Sequence, residues 1–297
     1  MNNQPLVSII ALSYNHAIYL EETLDSIVNQ SYKNIQLIIR DDCSSDNSVE
    51  VIKKWIKKNK VDCIFHFQEK NQGICKGLNE ALKDVKGTYY QAISCDDVLL
   101  PEKTAIQVAL LEQNPNLAFI HSNGNSIDEN STIVERLNQK VVREDGVTED
   151  FFKDLLFYNG VLAPSVLVRK SMLPEAPVYD ESLSFEDWDL WLNLSLKHDV
   201  YYLNEPLVQY RVLSTSMMRS AEIRKRIEKD SIKVLKQYLG HRLDCDAIIE
   251  KTIFDIRERH DLYEYSLKAL LMKKTSFLKF KQKLRLRTRI KNYLNKK

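Results

Sequence analysis

Short apolar runs alternate with stretches of helical period through the first third of the chain. Leu6–Leu12 predicts a buried strand, ended by Ser13-Tyr14-Asn15. Leu20, Leu24, Ile27 and Val28 then recur at helical spacing, with Glu21, Glu22 and Asp25 off that face. Ile35–Ile39 predicts a second strand and Arg40–Asp46 the loop after it. Val49, Ile52, Trp55 and Ile56 mark one face of a second helix whose other side carries lysines. Cys63–Phe67 predicts the third strand, Gly73 closes the next loop, and Leu78, Ala81, Leu82 and Val85 mark a third helix. Tyr89–Ile93 is the fourth strand, and it runs into Ser94-Cys95-Asp96-Asp97 before Pro101 opens another helix.

Strands alternating with helices predict a parallel sheet with right-handed crossovers, so the fold class is α/β, with a Rossmann-like, mostly parallel sheet flanked by helices. Such a sheet puts Ser13–Asn15, Asp41–Asp46 and Asp96–Asp97 side by side at the carboxyl ends of its strands, where ligands of open α/β sheets bind. Two neighbouring acids converge only where a strand ends and turns. Paired there, they suit a hard divalent cation that completes its shell with phosphate and water. The same pair also fits a polar turn capping the helix that follows.

Beyond this region, Ala118–His121 predicts a strand, Asp128-Glu129-Asn130 a turn, and Phe151–Phe157 an amphipathic helix. Tyr158-Asn159-Gly160 and Ala163-Pro164-Ser165 are loop signals. Ser184-Phe185-Glu186-Asp187 is a capping-box pattern that opens a helix running toward His198. Asp187 is thus a helix cap on one reading. On the other it is a carboxylate held ionised by the helix dipole and ready to accept a proton. Trp188 and Trp191 fit either a sugar or the core. After Tyr210-Arg211 the texture changes to two charged helical stretches, Arg219–Tyr238 and Ile248–Leu271. This predicts a domain over residues 1–212 and a helical C-terminal region over 213–297.

Charge sharpens that division. The net charge of the 297 residues is only +2, yet from Lys273 onward every charged residue is basic. The body is therefore acidic, which argues against a nucleic-acid-binding domain and for a basic tail. The tail interleaves Phe277, Phe280, Leu284, Leu286 and Ile290 with its cations, the texture of a moderately amphipathic helix at an anionic membrane surface. Five scattered cysteines lack metal-ligand spacing and fit reduced thiols, and neither a leader nor a membrane span is expected. The glycine fingerprint of dinucleotide-binding folds is missing after the first strand, and no P-loop occurs. What fits is a nucleotide site that holds its diphosphate through a metal.

Taken in order, Val7-Ser8-Ile9-Ile10 with Ser13-Tyr14-Asn15, Asp41-Asp42-Cys43-Ser44-Ser45-Asp46, Asn71-x-Gly73 with Asn79, Asp96-Asp97 and Glu186-Asp187-Trp188-Asp189-Leu190-Trp191 resemble family 2 glycosyltransferases of the GT-A fold. The resemblance covers residues 5 to 212. It implies that Asp42 meets the base, uracil, beside Ser13 and Tyr14, with Asn15, Asn71 and Gly73 also on the nucleotide. It implies Asp96 at the ribose or the metal, Asp97 at a Mg²⁺ or Mn²⁺ ion bridging the diphosphate, and Asp187 as the catalytic base. Glu186, Trp188 and Arg211 would then face the acceptor or the sugar. Two positions depart from the family: Ser94 stands where an acid is common, and Leu213 where a His is.

The implied reaction is transfer, with inversion, from a UDP-sugar to a hydroxyl of a glycan or lipid-linked acceptor. The implied setting is bacterial surface-polysaccharide assembly, in the cytoplasm or at the inner face of its membrane, with residues 273–297 as the attachment. The rivals are a sugar nucleotidyltransferase, which needs a glycine-rich loop after the first strand, and a catalytically silent nucleotide-sugar-binding protein.

Overall fold

A computed structural model describes residues 4–137, 144–213 and 220–271. The basic segment from Lys273 lies outside the described residues. The chain divides into two compact units, Met1–Asp230 and Ser231–Lys297.

The first unit is built on one sheet. Its elements begin β1 (Val7–Ser13), α1 (Leu20–Val28), β2 (Ile35–Asp41), α2 (Ser48–Asn59), β3 (Cys63–Phe67), α3 (Ile74–Leu82), β4 (Tyr89–Ser94), β5 (Val98–Leu99) and α4 (Lys103–Gln113). They continue with β6 (Leu117–Ile127), β7 (Ile133–Arg136), β8 (Gly146–Val147), α5 (Phe151–Phe157), β9 (Leu167–Arg169), α6 (Asp187–Ser195) and β10 (Asp199–Arg211). The strand order is β3-β2-β1-β4-β9-β6-β10-β5, with β7 beside β6 and β8 beside β10. β1 pairs in parallel with β2 and β4, and β2 with β3. The short β9 is antiparallel to both β4 and β6, and β10 is parallel to β6. The long strands therefore point the same way, and their carboxyl ends form a single edge. β1 is apolar because both faces are covered: Val7, Ile9, Ile10 and Ala11 are fully buried.

Two elements exceed what the apolar pattern predicts. β6 continues past His121 through Ser122, Asn123, Gly124, Asn125 and Ser126. Composition marks that stretch as loop, but it pairs along one side with β10 and, at Asn125 and Ser126, with β7 on the other, so the sheet ladder takes up its backbone groups. β10 contains Pro206, and its pairing with β6 shifts register on both sides of that residue, as expected where a proline removes a ladder donor.

The capping box is not formed. Glu186 occupies the N-cap of α6 without a side-chain capping bond, and Ser184 Oγ has no hydrogen-bond partner. The second unit holds the end of α7 (Ala221–Gln237) and all of α8 (Leu243–Leu271), with Val234, Leu235, Cys245, Ile249 and Ile253 buried. Among the described residues no helix is long and apolar enough to cross a membrane.

Candidate active site

The loops after β1 and β2 are stitched to each other. Ser13 Oγ donates to Asp41 Oδ2 at 2.7 Å, and Ser44 donates to both oxygens of the same fully buried carboxylate, at 2.9 and 2.6 Å. Asn15 Oδ1 accepts from Ser45 N at 2.8 Å, and the residue adopts φ 57°, a left-handed turn that asparagine tolerates. Ser13 and Asn15 thus shape the loop, whereas Tyr14 stands out from it, 45% exposed. Asp42 reaches across to the start of α3, where its oxygens accept from Gln72 N and Gly73 N, each at 2.9 Å. Asn71 Oδ1 accepts from the same Gly73 N–H at 3.1 Å. Gly73 has φ +81°, which a side chain would strain. Asp42, Asn71 and Gly73 therefore lie together, and Tyr14 follows Ser13, whose carbonyl accepts from Asp42 N at 3.0 Å.

At the end of β4, Asp96 and Asp97 point differently. Asp97 is buried, its Oδ1 accepts from Arg211 N at 2.9 Å, and its carbonyl accepts from Thr23 Oγ1 at 2.7 Å. Burial pushes its carboxyl well above the usual range, and the charge of Asp96 adds to the effect against the pull of Arg211. Asp96 is more open, with Oδ2 3.7 Å from His16 Nε2. Among the described residues no group of three or more His, Cys, Asp or Glu side chains converges on a metal position. Two adjacent carboxylates are what this turn offers, and a cation relieves the repulsion that raises Asp97. That donor set fits a Mg²⁺- or Mn²⁺-class ion whose other ligands come from a diphosphate and water.

The third group lies at α6. Asp187 Oδ2 accepts from Asn159 Nδ2 at 2.8 Å and Oδ1 from Trp188 N at 2.7 Å. Burial raises the Asp187 carboxyl, opposed by those two bonds. Burial, with the charge of Asp187, pushes the Glu186 carboxyl up to about 8, against a hydrogen bond from its own backbone N–H. Burial thus raises both carboxyls of the pair, and Asp187 is the one that two hydrogen bonds hold toward its charged form.

Two more expectations are corrected. Trp188 is 8% exposed and its indole N–H donates to Leu155 O at 2.9 Å, so it joins α6 to α5 in the core instead of facing a sugar. The Arg211 side chain has no exposure. It donates to Asp96 O at 2.7 Å, Asp128 O at 2.9 Å, Ser131 Oγ at 3.0 Å and Glu22 Oε2 at 2.6 Å, and it lies over the Tyr19 ring. With its donors so engaged it holds the Asp96–Asp97 turn and does not reach an acceptor.

Side chains of α3 reach the segment that leads into α6. Cys75 Sγ donates to Phe185 O at 3.3 Å, and Asn79 exchanges bonds of 2.9 and 3.0 Å with the backbone of Tyr179. Asn159 and Tyr210 are the residues that sequence reasoning left unassigned. Tyr210 feels the charges of Asp97, Asp96, Asp187 and Glu186, which with burial push its phenol up to about 12. Its adjacency to Arg211 at the end of a sheet strand was the available signal.

Residues 8–162 match Glycosyl transferase family 2. An uncharacterized glycosyltransferase of Rickettsia typhi is 32% identical over 214 residues, covering 70% of this chain and 64% of the relative. One of Methanocaldococcus jannaschii is 28% identical over 215 residues, covering 71% and 72%. Among solved structures, S. aureus TarS 1-349 in complex with UDP-GlcNAc superposes with a TM-score of 0.64 at 19% identity, over 91% of this chain and 77% of that one. Mannosyltransferase PcManGT from Pyrobaculum calidifontis, in complex with GDP-Man and Mn2+, gives 0.61 at 15% identity, over 100% and 89%. At these identities the two structures speak for the fold.

Proposed function

The chain belongs to glycosyl transferase family 2 and has a GT-A fold, and on that premise we propose that it moves a sugar from a nucleoside diphosphate to an acceptor hydroxyl with inversion. The observation that carries the proposal is a pair of carboxylates held at each of two places along β10: Asp97 accepts from Arg211 N at its end, and Asp187 accepts from Asn159, in the segment whose Leu162 lies beside Val208 of β10. A diphosphate-holding turn and a proton acceptor on either side of a common space are what direct displacement at an anomeric carbon needs.

In this reading Tyr14, Asp42, Asn71 and Gly73 hold the nucleotide, taken to be uridine diphosphate in keeping with the UDP-GlcNAc bound by TarS. Asp96 and Asp97 would hold a divalent cation, which would offset the charge of the departing diphosphate. Asp187, ionised and oriented by Asn159 and Trp188 N, takes the proton of the acceptor hydroxyl as its oxygen bonds to the sugar. Glu186 keeps its proton, so the base has no second anion beside it. Arg211 and Thr23 fix the Asp96–Asp97 turn from behind.

The acceptor is read as a hydroxyl of a glycan or lipid-linked sugar in bacterial surface-polysaccharide assembly. Residues 273–297 are read as the attachment to an anionic membrane, on the strength of their sequence alone. A thermal-shift panel of UDP-, GDP- and dTDP-sugars with Mn²⁺ tests the proposal. A donor at about 100 times its Kd stabilises by about 2.7 kcal/mol, and slow release of its nucleoside diphosphate separates the enzyme from a silent binding protein. No shift with any nucleotide sugar would remove the proposal.

A further inference from the structure

Neighbouring residues at the carboxyl end of β10 serve opposite faces of the sheet. Arg211 turns toward α1, over the Tyr19 ring and beside Glu22. Tyr210 therefore stands on the other face, the one shared with Val208. Gly124 of β6 is level with Val208. A Cβ there would fall 2.8 Å from Val208 Cγ2 and 3.0 Å from Leu162 Cδ1. Leu162 belongs to the segment that also carries Asn159, the partner of Asp187. The segment that holds Asp187 through Asn159 thus passes beside β10, two residues before Tyr210.

Its position along the strand is fixed as well. β10 pairs with β5 through Val208–Leu99 and Gln209–Val98. One further step brings Tyr210 level with Asp97, and Arg211 N indeed donates to Asp97 Oδ1. Tyr210 keeps 37% of its surface exposed in this position, although it is an aromatic residue of a strand whose next residue, Arg211, is buried.

A group between the diphosphate turn and the base occupies the place that the sugar must take during transfer. A flat ring offers its face to the C–H bonds of a pyranose and buries apolar area at low entropic cost. We infer that Tyr210 is the platform for the glycosyl group of the donor, distinguishing a nucleotide sugar from the bare nucleotide. This rests on the nucleotide-sugar reading above.

The test titrates wild type, Tyr210→Phe, Tyr210→Leu and Tyr210→Ala with UDP and with UDP-GlcNAc, UDP-glucose and UDP-galactose, all with Mn²⁺. Tyr210→Leu and Tyr210→Ala should weaken the preferred UDP-sugar about tenfold, ~1.4 kcal/mol. They should leave UDP within about twofold, and Tyr210→Phe should stay within about threefold for both ligands. The leucine variant keeps apolar bulk in the strand, so the result does not hang on alanine folding. Equal losses for UDP and UDP-sugar, no loss for either, or a phenylalanine variant as weak as alanine would each overturn the assignment while leaving the nucleotide site standing. Wild-type protein that binds neither UDP nor any of the sugars would overturn both.

Discussion

Asn159 Nδ2 lies 2.8 Å from Asp187 Oδ2, joining the loop after α5 to the first residue of α6. The bond favours the charged form of a carboxyl that burial otherwise raises. Asn159→Ala should therefore move the acidic limb of the pH–kcat profile to higher pH. The fall in kcat should be steepest at low pH, with donor binding unchanged. The cost in stability should be about 1 kcal/mol, that of one hydrogen bond. A profile of unchanged shape would mean that Asn159 merely closes the loop.

Asp187 itself separates structure from chemistry. A positioned general base contributes roughly 10²–10⁴-fold in rate. Asp187→Asn should lose that much kcat, keep its donor Kd, and melt close to wild type because the amide can still accept from Trp188 N. Turnover above a third of wild type would return Asp187 to a structural role.

Glu186 gives a prediction about stability. Its pKa in the folded protein is about 8, above the ordinary 4.5. Between those values the folded state binds more protons than the unfolded one, so unfolding releases protons and stability falls as pH rises. The loss begins above pH 4.5 and levels off past about 8. Asp97 acts in the same direction. Glu186→Gln should flatten part of the slope in chemical denaturation run at pH 5.5 and 8.5, and should be more stable than wild type at the higher pH. An unchanged slope would show that Glu186 is ionised in the fold.

Arg211 is the strut of the metal turn. Its removal leaves the carbonyls of Asp96 and Asp128 without this donor and Glu22 without its cation. Glu22 is 39% exposed and recovers water, which lowers the penalty. Arg211→Ala should still cost ~3 kcal/mol from lost buried hydrogen bonds. Arg211→Lys should not restore it, since one ammonium cannot reproduce the planar fork. Denaturation midpoints of the two variants measure this; a lysine variant at wild-type stability would contradict it.

The sequence made the sheet and its ligand edge legible because β1, β2 and β4 are apolar runs whose polar ends mark the strand termini. It hid the length of β6, whose Ser122–Ser126 stretch is polar yet paired throughout with β10. The Tyr210-Arg211 pair was visible, but which of the two faces the site depends on a strand alternation whose phase composition does not reveal. Arg211 turned out to be the inward residue and Tyr210 the outward one. The carboxylates Asp96, Asp97, Glu186 and Asp187 were legible as pairs. The burial that raises Glu186 and Asp187 was not, because burial is a property of the fold. Asn159 read only as loop, since its partner lies 28 residues further along the chain.

The most direct measurement is calorimetry of UDP binding to wild type and Asp97→Asn, with and without Mn²⁺. Asparagine can still accept from Arg211 N through its side-chain oxygen, so the turn should persist while its charge is lost. Wild type should bind UDP tightly only with Mn²⁺, and Asp97→Asn should bind equally weakly with or without the metal at an unchanged melting temperature. Equal UDP affinity of wild type in the presence and absence of Mn²⁺ would contradict a metal-held diphosphate at Asp96–Asp97.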